Sequence, residues 1–210
     1  MSHSLEPAES FGKIDIYLFD QILRGRIAPG MRVLDAGCGS GRNLHYFLKA
    51  GYDVAACDPR PEAIEKVEGL AAELAPGFDS KKNGGAFRLE AIEENTFDTE
   101  SFEVVICNAL LHFAKDDAHM RAMLTGCWRL LRPGGLFFAR LASNIGIEGL
   151  VQPLGNRRFL LPDETERYLV DEQLLLQLTE ELGAELLDPI KTTNVQNLRC
   201  MTTWVMRRGS

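Results

Sequence analysis

The chain predicts an α/β fold, a parallel sheet wound on both faces by helices, and two observations carry that expectation. Strand-length apolar runs alternate with amphipathic helical stretches through residues 31–141, the order in which strand–helix–strand units are built. One of those runs, Val33-Leu34-Asp35-Ala36, passes without a spacer into Gly37-Cys38-Gly39-Ser40-Gly41. A glycine-rich turn between strand and helix is where such sheets bind ligands.

Taken in order, the first helical stripe covers Phe11–Arg26, with apolar side chains at Ile14, Tyr17, Leu18, Ile22 and Leu23. It reads either as a helix packed on the sheet or as one that also caps the ligand cleft. Strands are expected at Met31–Ala36, Asp53–Cys57, Ala86–Glu90, Val104–Cys107 and Leu136–Leu141, with helices at Arg42–Ala50, Pro61–Leu74 and Ala118–Leu131. Pro61 suits a first helical turn, and Lys81-Lys82-Asn83-Gly84-Gly85 reads as the loop into the third strand. The polar stretch Ser143–Asp171 reads as a long loop, and long loops in compact domains are often functional. A helix at Glu172–Leu182 follows, then strands at Ala184–Leu187 and Met201–Met206 joined by Asp188–Arg199 as an antiparallel pair.

A chain of 210 residues, 45% hydrophobic, fills one sizeable core and makes a single domain the expectation. Its apolar runs are interrupted by charges, which argues against a membrane span, and Met1–Pro7 lacks the basic and apolar regions of a signal peptide. A cytoplasmic protein is therefore expected. A net charge of −7 gives no overall attraction to a polyphosphate, which disfavours nucleic acid as partner and leaves a small molecule. The five cysteines form no Cys-x-x-Cys pair. They read as buried free thiols, or, if Cys38, Cys57 and Cys107 converge at the strand ends, as a thiol site for a metal or arsenic.

Gly37, Gly39 and Gly41 remove side chains where the backbone turns tightly and a ligand approaches the main chain, and the N–H groups opening the next helix face that ligand. Dinucleotide-binding turns need a third glycine where this chain has Arg42. Asp58, about twenty residues on at the end of the second strand, suits the ribose hydroxyls of an adenosine; the alternative is a solvated strand-end acid. The spacing Asp35-x-Gly37-x-Gly39-x-Gly41 resembles motif I of the class I methyltransferases that use S-adenosyl-L-methionine. Phe102–Phe113 resembles their motif IV, and Leu130-Leu131-Arg132-Pro133-Gly134-Gly135-Leu136 is similar to their turn before strand five. The resemblance covers roughly residues 29–141.

The resemblance implies a Rossmann-like doubly wound sheet of seven strands, mostly parallel with the last antiparallel. It divides the single domain into an N-terminal helical cap (1–28), a cofactor-binding core (29–141), a substrate-side loop (142–171) and a C-terminal helix with a strand pair (172–210). It further implies that Asp35, Gly37, Cys38 and Gly39 hold the methionine end of the cofactor, and that Asp58 holds the ribose with Pro59 beside the adenine. Ala91 and Ile92 line the adenine edge, and Asn108 and Ala109 flank the sulfonium. Many relatives carry Gly-Asp-Ala after strand three, whereas this chain reads Leu89-Glu90-Ala91-Ile92-Glu93. Glu90, Glu93 or a backbone oxygen is left to meet the adenine amine.

Methyl transfer is an in-line displacement for which the cofactor supplies the reactivity and the protein supplies alignment and dryness. A base is needed only where the nucleophile carries a proton. His112, at the end of motif IV, is the candidate, against a histidine that merely packs there. With Asp116, Asp117 and His119 it suggests a metal cluster, but the two aspartates open a helix and suit its cap, so no metal is expected. On the substrate side Arg140, Arg157 and Arg158 are candidates to collect an oxyanion or carboxylate, unless the loop is simply solvated. The Asn-Pro-Pro-Tyr type of signature for amino-group methylation is absent after Asn108. The expectation is thus a methyltransferase acting on a small molecule, loosely similar to the tellurite-resistance type; a non-catalytic cofactor-binding module working through a protein partner is the alternative.

Overall fold

A computed structural model describes residues 7–81 and 85–209. Met1–Glu6 and Lys82–Gly84, the latter within the expected loop before the third strand, lie outside the described residues. Five parallel strands make the centre: β1 (Arg32–Ala36), β2 (Asp53–Cys57), β3 (Phe87–Arg88), β4 (Phe102–Asn108) and β5 (Leu131–Ser143). The order across the sheet is β10-β11-β5-β4-β1-β2-β3, where β10 is Lys191–Val195 and β11 is Arg199–Arg208. β11 runs antiparallel to both its neighbours. The seven-strand order with an antiparallel final strand therefore holds. An eighth short strand, β9 (Ala184–Leu186), pairs antiparallel with the far end of β11.

Successive side chains of a strand point to opposite faces, and here both faces are buried. On β4, Val104 and Ile106 join the core under α2 (Ile16–Leu23), α3 (Leu44–Lys49) and α4 (Pro61–Leu74). Val105 and Cys107 join the opposite core under α5 (Asp117–Leu130) and α6 (Glu172–Glu181). β5 does the same with Phe138 and Phe137. Strands covered on both sides read as near-continuous apolar runs, and each fully buried ring contributes about 1.5–3 kcal/mol. α5 buries Met120, Met123, Leu124, Cys127 and Leu130, the spacing of one helical face.

The differences from expectation have local causes. The N-terminal stripe breaks into α1 (Pro7–Phe11) and α2, because Gly12 takes φ 59° and a Cβ there would lie 2.7 Å from the His45 ring. β3 stops at Arg88 because the Glu90 carboxylate bends the chain, accepting bonds from the Thr96 N–H and hydroxyl at 2.9 and 2.6 Å. In the turn before the fifth strand, Leu131 pairs with Phe102 and Leu136 with Val104. Arg132–Gly135 loop out as a bulge with Gly134 at φ 75°. The stretch Ser143–Asp171 is not a plain loop: β6 (Gln152–Gly155), β7 (Arg158–Leu160) and β8 (Glu166–Tyr168) form a small antiparallel sheet. Its strands are short, and all four residues of β6 are exposed, so they lack the apolar pattern that marks a strand. The expected connection Asp188–Arg199 likewise contains β10.

Candidate active site

The carboxyl ends of β1, β2 and β4 meet at the glycine turn. Gly37, Gly39 and Gly41 have φ of 69°, 54° and 72°, where a side chain is strained. A Cβ on Gly37 would come within 2.6 Å of Leu110, whereas one on Gly39 would meet only the tip of Arg60 at 3.8 Å. Gly37 and Cys38 donate to the Cys57 carbonyl at 2.8 and 3.2 Å, tying the turn to β2. Asp35 is 1% exposed and its Oδ2 has no hydrogen-bond partner among the described residues. Burial pushes its pKa up to about 7, against the pull of Arg42 and with the added repulsion of Asp58.

Asp58 is buried at the end of β2, and both oxygens are engaged. Oδ2 accepts from Gly39 N at 3.0 Å and from Arg60 Nη2 at 3.1 Å; Oδ1 accepts from Arg60 N and Nε at 3.1 and 2.9 Å. Burial raises its pKa, but the Arg60 bonds and charge and the Gly39 N–H outweigh that, and the net value lies below the usual carboxylate range. Pro59, Ala91 and Ile92 line a cavity of about 150 Å³. Gly37, Asp58, Pro59 and Ala109 line a neighbouring one of about 290 Å³. The two share Gly37, Pro59, Leu110 and Phe113 and form one cleft. Gly126 lets α5 pack closely on the wall of that cleft: a Cβ there would lie 2.3 Å from the Ile92 carbonyl oxygen. Glu90 is held by Thr96, and Glu93 pairs with His119 Nε2 at 2.9 Å.

Asn108 closes β4, its Oδ1 accepting from Arg42 at 3.0 Å. Ala109 takes φ 59° and donates to the Arg140 carbonyl at 2.7 Å. A non-glycine residue in that region costs about 1–3 kcal/mol and is found where function needs the shape. Asp15 escaped the sequence reading. Its buried carboxylate caps α2 through Tyr17 N at 3.0 Å and pairs with Arg140 Nη1 at 2.7 Å. Burial raises the Asp15 pKa, but Arg140 and the Tyr17 N–H bring it below its ordinary value. Tyr17 also lies under the Arg140 guanidinium at 5.0 Å and bonds Thr193 at 2.8 Å, so α2 is clamped over the sheet end. An aspartate just before an apolar helical stripe was the available signal.

A third cavity, of about 310 Å³, opens beyond Ala109 and is lined by His112 and Arg140 among others. His112 Nδ1 accepts the Ala142 N–H at 3.2 Å, which assigns the neutral ring's proton to Nε2. Burial, then the charges of Arg167 and Arg199, push its pKa down to about 4. So held, the neutral ring keeps its Nε2–H as a hydrogen-bond donor, and its lowered pKa makes it a weak proton acceptor. Asp116 caps α5 through His119 N at 2.8 Å, and Asp117 accepts the Tyr168 hydroxyl at 2.6 Å. Among the described residues no three His, Cys, Asp or Glu side chains group to hold a metal ion. The five cysteines are free and buried.

Of the three expected substrate arginines, only Arg140 lines this cavity. Arg157 is held at 2.9 Å by Asp171, the cap of α6, and lies 3.8 Å from Asp117. Arg158 pairs with Glu166 at 3.1 Å. Arg157 thus fastens the small sheet to α6, and Arg158 is spent on a pair within that sheet. Arg167 and Arg199 occupy the cavity wall instead. No helix among the described residues is long and apolar enough to cross a membrane.

Comparison with known proteins agrees with this geometry. A family model described as a methyltransferase domain matches residues 33–135, the span that carries the cleft. A ubiquinone biosynthesis O-methyltransferase of Methylocella silvestris is 30% identical over 169 residues, covering 72% of this chain and 62% of that protein. The chain thus spans about six tenths of the length of such curated relatives. A crystal structure of a methyltransferase dependent on S-adenosylmethionine, from Methanosarcina mazei, superposes with a TM-score of 0.71 at 22% identity, covering 90% of this chain and 97% of the other. The 1,6-didemethyltoxoflavin-N1-methyltransferase of Burkholderia thailandensis, solved with its substrate and S-adenosylhomocysteine, gives 0.69 at 21% identity, covering 95% and 80%. With the motif order, the sheet order and the matched span in agreement, the chain carries a methyltransferase domain similar to those of the class I S-adenosylmethionine-dependent methyltransferases.

Proposed function

We propose that this chain transfers a methyl group from S-adenosylmethionine to a small-molecule acceptor. The observation that carries the reading is the junction at Ala109, which lines both the cofactor-side cleft and the separate cavity of about 310 Å³. A chain built only to hold a cofactor would have no need of the second chamber. The residues fit the cofactor. The unpartnered Asp35 Oδ2 suits its ammonium group, the Gly37–Gly39 cradle admits a ligand against the backbone, and Asp58 suits the ribose hydroxyls in place of Arg60, whose side chain is 60% exposed and free to swing away. Pro59, Ala91 and Ile92 are assigned to the adenine, Cys38 to the methionine end, and Asn108 and Ala109 to the sulfonium side.

When bound, the cofactor supplies an electrophilic methyl whose bond to sulfur breaks with the electron pair remaining on sulfur. The protein's part is placement. The positive φ of Ala109 brings backbone to the junction, the Asp15–Arg140–Tyr17 clamp holds α2 over it, and Phe113 and Leu110 wall the cleft. His112 acts as a donor toward the acceptor, and no protein base is assigned. The Methylocella silvestris relative is named an O-methyltransferase, which makes an oxygen acceptor the first to try. The net charge of −7 favours a small acceptor over nucleic acid, and a cytoplasmic setting suits the reading.

Calorimetry with S-adenosylhomocysteine and NAD tests the cofactor, and labelled S-adenosylmethionine with a panel of phenols, carboxylates, thiols and oxyanions tests the transfer. Micromolar binding of S-adenosylhomocysteine with turnover of at least one acceptor is expected. Tighter binding of NAD, or cofactor binding with no turnover across the panel, would overturn the reading.

A further inference from the structure

We infer that the acceptor is a small carboxylate, recognised in the cavity beyond Ala109 by Arg167 and Arg199 with the Nε2–H of His112. The inference rests on reading that cavity as the acceptor side of a methyltransferase.

The argument is one of unanswered charge. Three guanidinium groups line the cavity. Arg140 is neutralised by the buried Asp15 at 2.7 Å, and Arg199 faces Asp163 at 3.6 Å. Arg167 has no carboxylate partner among the described residues. One Nη1 hydrogen goes to the adjacent Glu166 carbonyl at 2.7 Å, and its face lies over Phe113 at 5.0 Å. It is held in place but not neutralised. A guanidinium so placed presents a planar fork that matches a carboxylate.

The remaining polar lining points the same way. Asp163 is the carboxylate of the cavity, yet its Oδ1 already accepts the Thr165 N–H and hydroxyl at 3.1 and 2.6 Å and its Oδ2 faces Arg199. It is poorly placed to draw a cationic ligand. His112 has given Nδ1 to the Ala142 N–H, and Nε2–H is the polar group the ring has left. Donors therefore dominate, and one positive charge is in excess, in a chain whose overall charge is −7. One excess charge is matched by a monoanionic carboxylate, whereas a phosphate dianion would bring a second charge with nothing to meet it. The volume of about 310 Å³ sets the acceptor's size at the small end of ordinary ligands.

The test is a calorimetric titration of the full chain, saturated with S-adenosylhomocysteine, by benzoate, 4-hydroxybenzoate and hexanoate, each against its amide and against phenyl phosphate. At least one carboxylate should bind tenfold or more tightly than its amide. Arg167→Gln should abolish that preference and Arg167→Lys should keep part of it, while both leave S-adenosylhomocysteine affinity within twofold; thermal melts check that the variants fold. The inference is overturned if no carboxylate binds, if amides bind as well, if phenyl phosphate binds more tightly, or if Arg167→Gln keeps the preference. Failure of S-adenosylhomocysteine to bind strikes the methyltransferase reading instead, and the carboxylate preference is then read in the cofactor-free protein.

Discussion

The cleft at the glycine turn and the cavity beyond Ala109, proposed for cofactor and acceptor, are built by different means. The cleft is made of strand ends and tight turns: Gly37, Gly39, Asp58 and Ile92 each sit where backbone geometry puts them, and three of the four act within a few residues of a strand. The cavity is made of side chains from β5, β8, β10 and β11, the turn after β4 and the turn between β7 and β8, held by ion pairs between segments remote in the chain. Backbone curvature shapes the first, and the choice of which arginine meets which carboxylate shapes the second. The family match stops at residue 135, before most of the cavity begins.

The sharpest way to break this contrast is to cut the Asp15–Arg140 clamp between the two regions. Arg140→Gln leaves the buried Asp15 carboxylate with Arg42, 3.8 Å away, as its remaining cation, and since losing one partner of a buried pair costs about 3–5 kcal/mol, the lower end is expected. Chemical denaturation should show a loss of that order, together with weaker cofactor and acceptor binding. The sign with pH follows from the lowered Asp15 pKa. The pair stabilises the protein above the ordinary aspartate value of about 3.9, and that contribution disappears as pH falls through the lower, folded value. The variant should therefore lose part of the acid unfolding seen in the parent between those two values.

Next in size, Asp58→Ala should weaken S-adenosylhomocysteine binding by about 1.5–3 kcal/mol, the range for hydrogen bonds to a charged group. The lower end is expected, because the ligand must first displace Arg60 from both carboxylate oxygens. Arg60→Gln removes that competitor and should tighten binding. A folded Asp58→Ala protein that binds S-adenosylhomocysteine normally would remove Asp58 from the site.

A smaller effect concerns protons at Asp35, whose pKa is raised to about 7 by burial. An ammonium group beside it favours the ionised form, so binding releases a proton below pH 7 and affinity should fall as pH drops from 7 to 6. The limit is about tenfold per pH unit, or ~1.4 kcal/mol. Calorimetry in buffers of different ionisation enthalpy measures the released proton, and Asp35→Asn should abolish the release. The smallest effect sharpens the acceptor side. Arg157→Gln with Arg158→Gln should leave the acceptor's KM unchanged and cost about 0–1 kcal/mol of stability for each half-exposed pair lost. A large rise in KM would return those residues to the cavity.

The same contrast explains what could be read in advance. Alternating apolar runs made both faces of β4 and β5 legible, and the glycine spacing located the turn, because strand period and positive φ are properties of adjacent residues. β6 to β8 were missed because short, exposed strands carry no such period. Asp15 bore a helix-cap signature, but its partner Arg140 lies 125 positions away. The arginines of Ser143–Asp171 look alike in sequence. Only folding sets Asp171 against Arg157 and Glu166 against Arg158, and leaves Arg167 without a carboxylate partner among the described residues.

By itself, then, the amino-acid order determined the wound sheet, the glycine cradle and the acid at the end of β2, since these follow from local backbone preference and from burial of every second side chain. The tertiary structure alone decided where charge remains uncancelled and which nitrogen of His112 carries its proton. Both depend on groups tens of residues apart reaching hydrogen-bond distance, and that separation is set by packing.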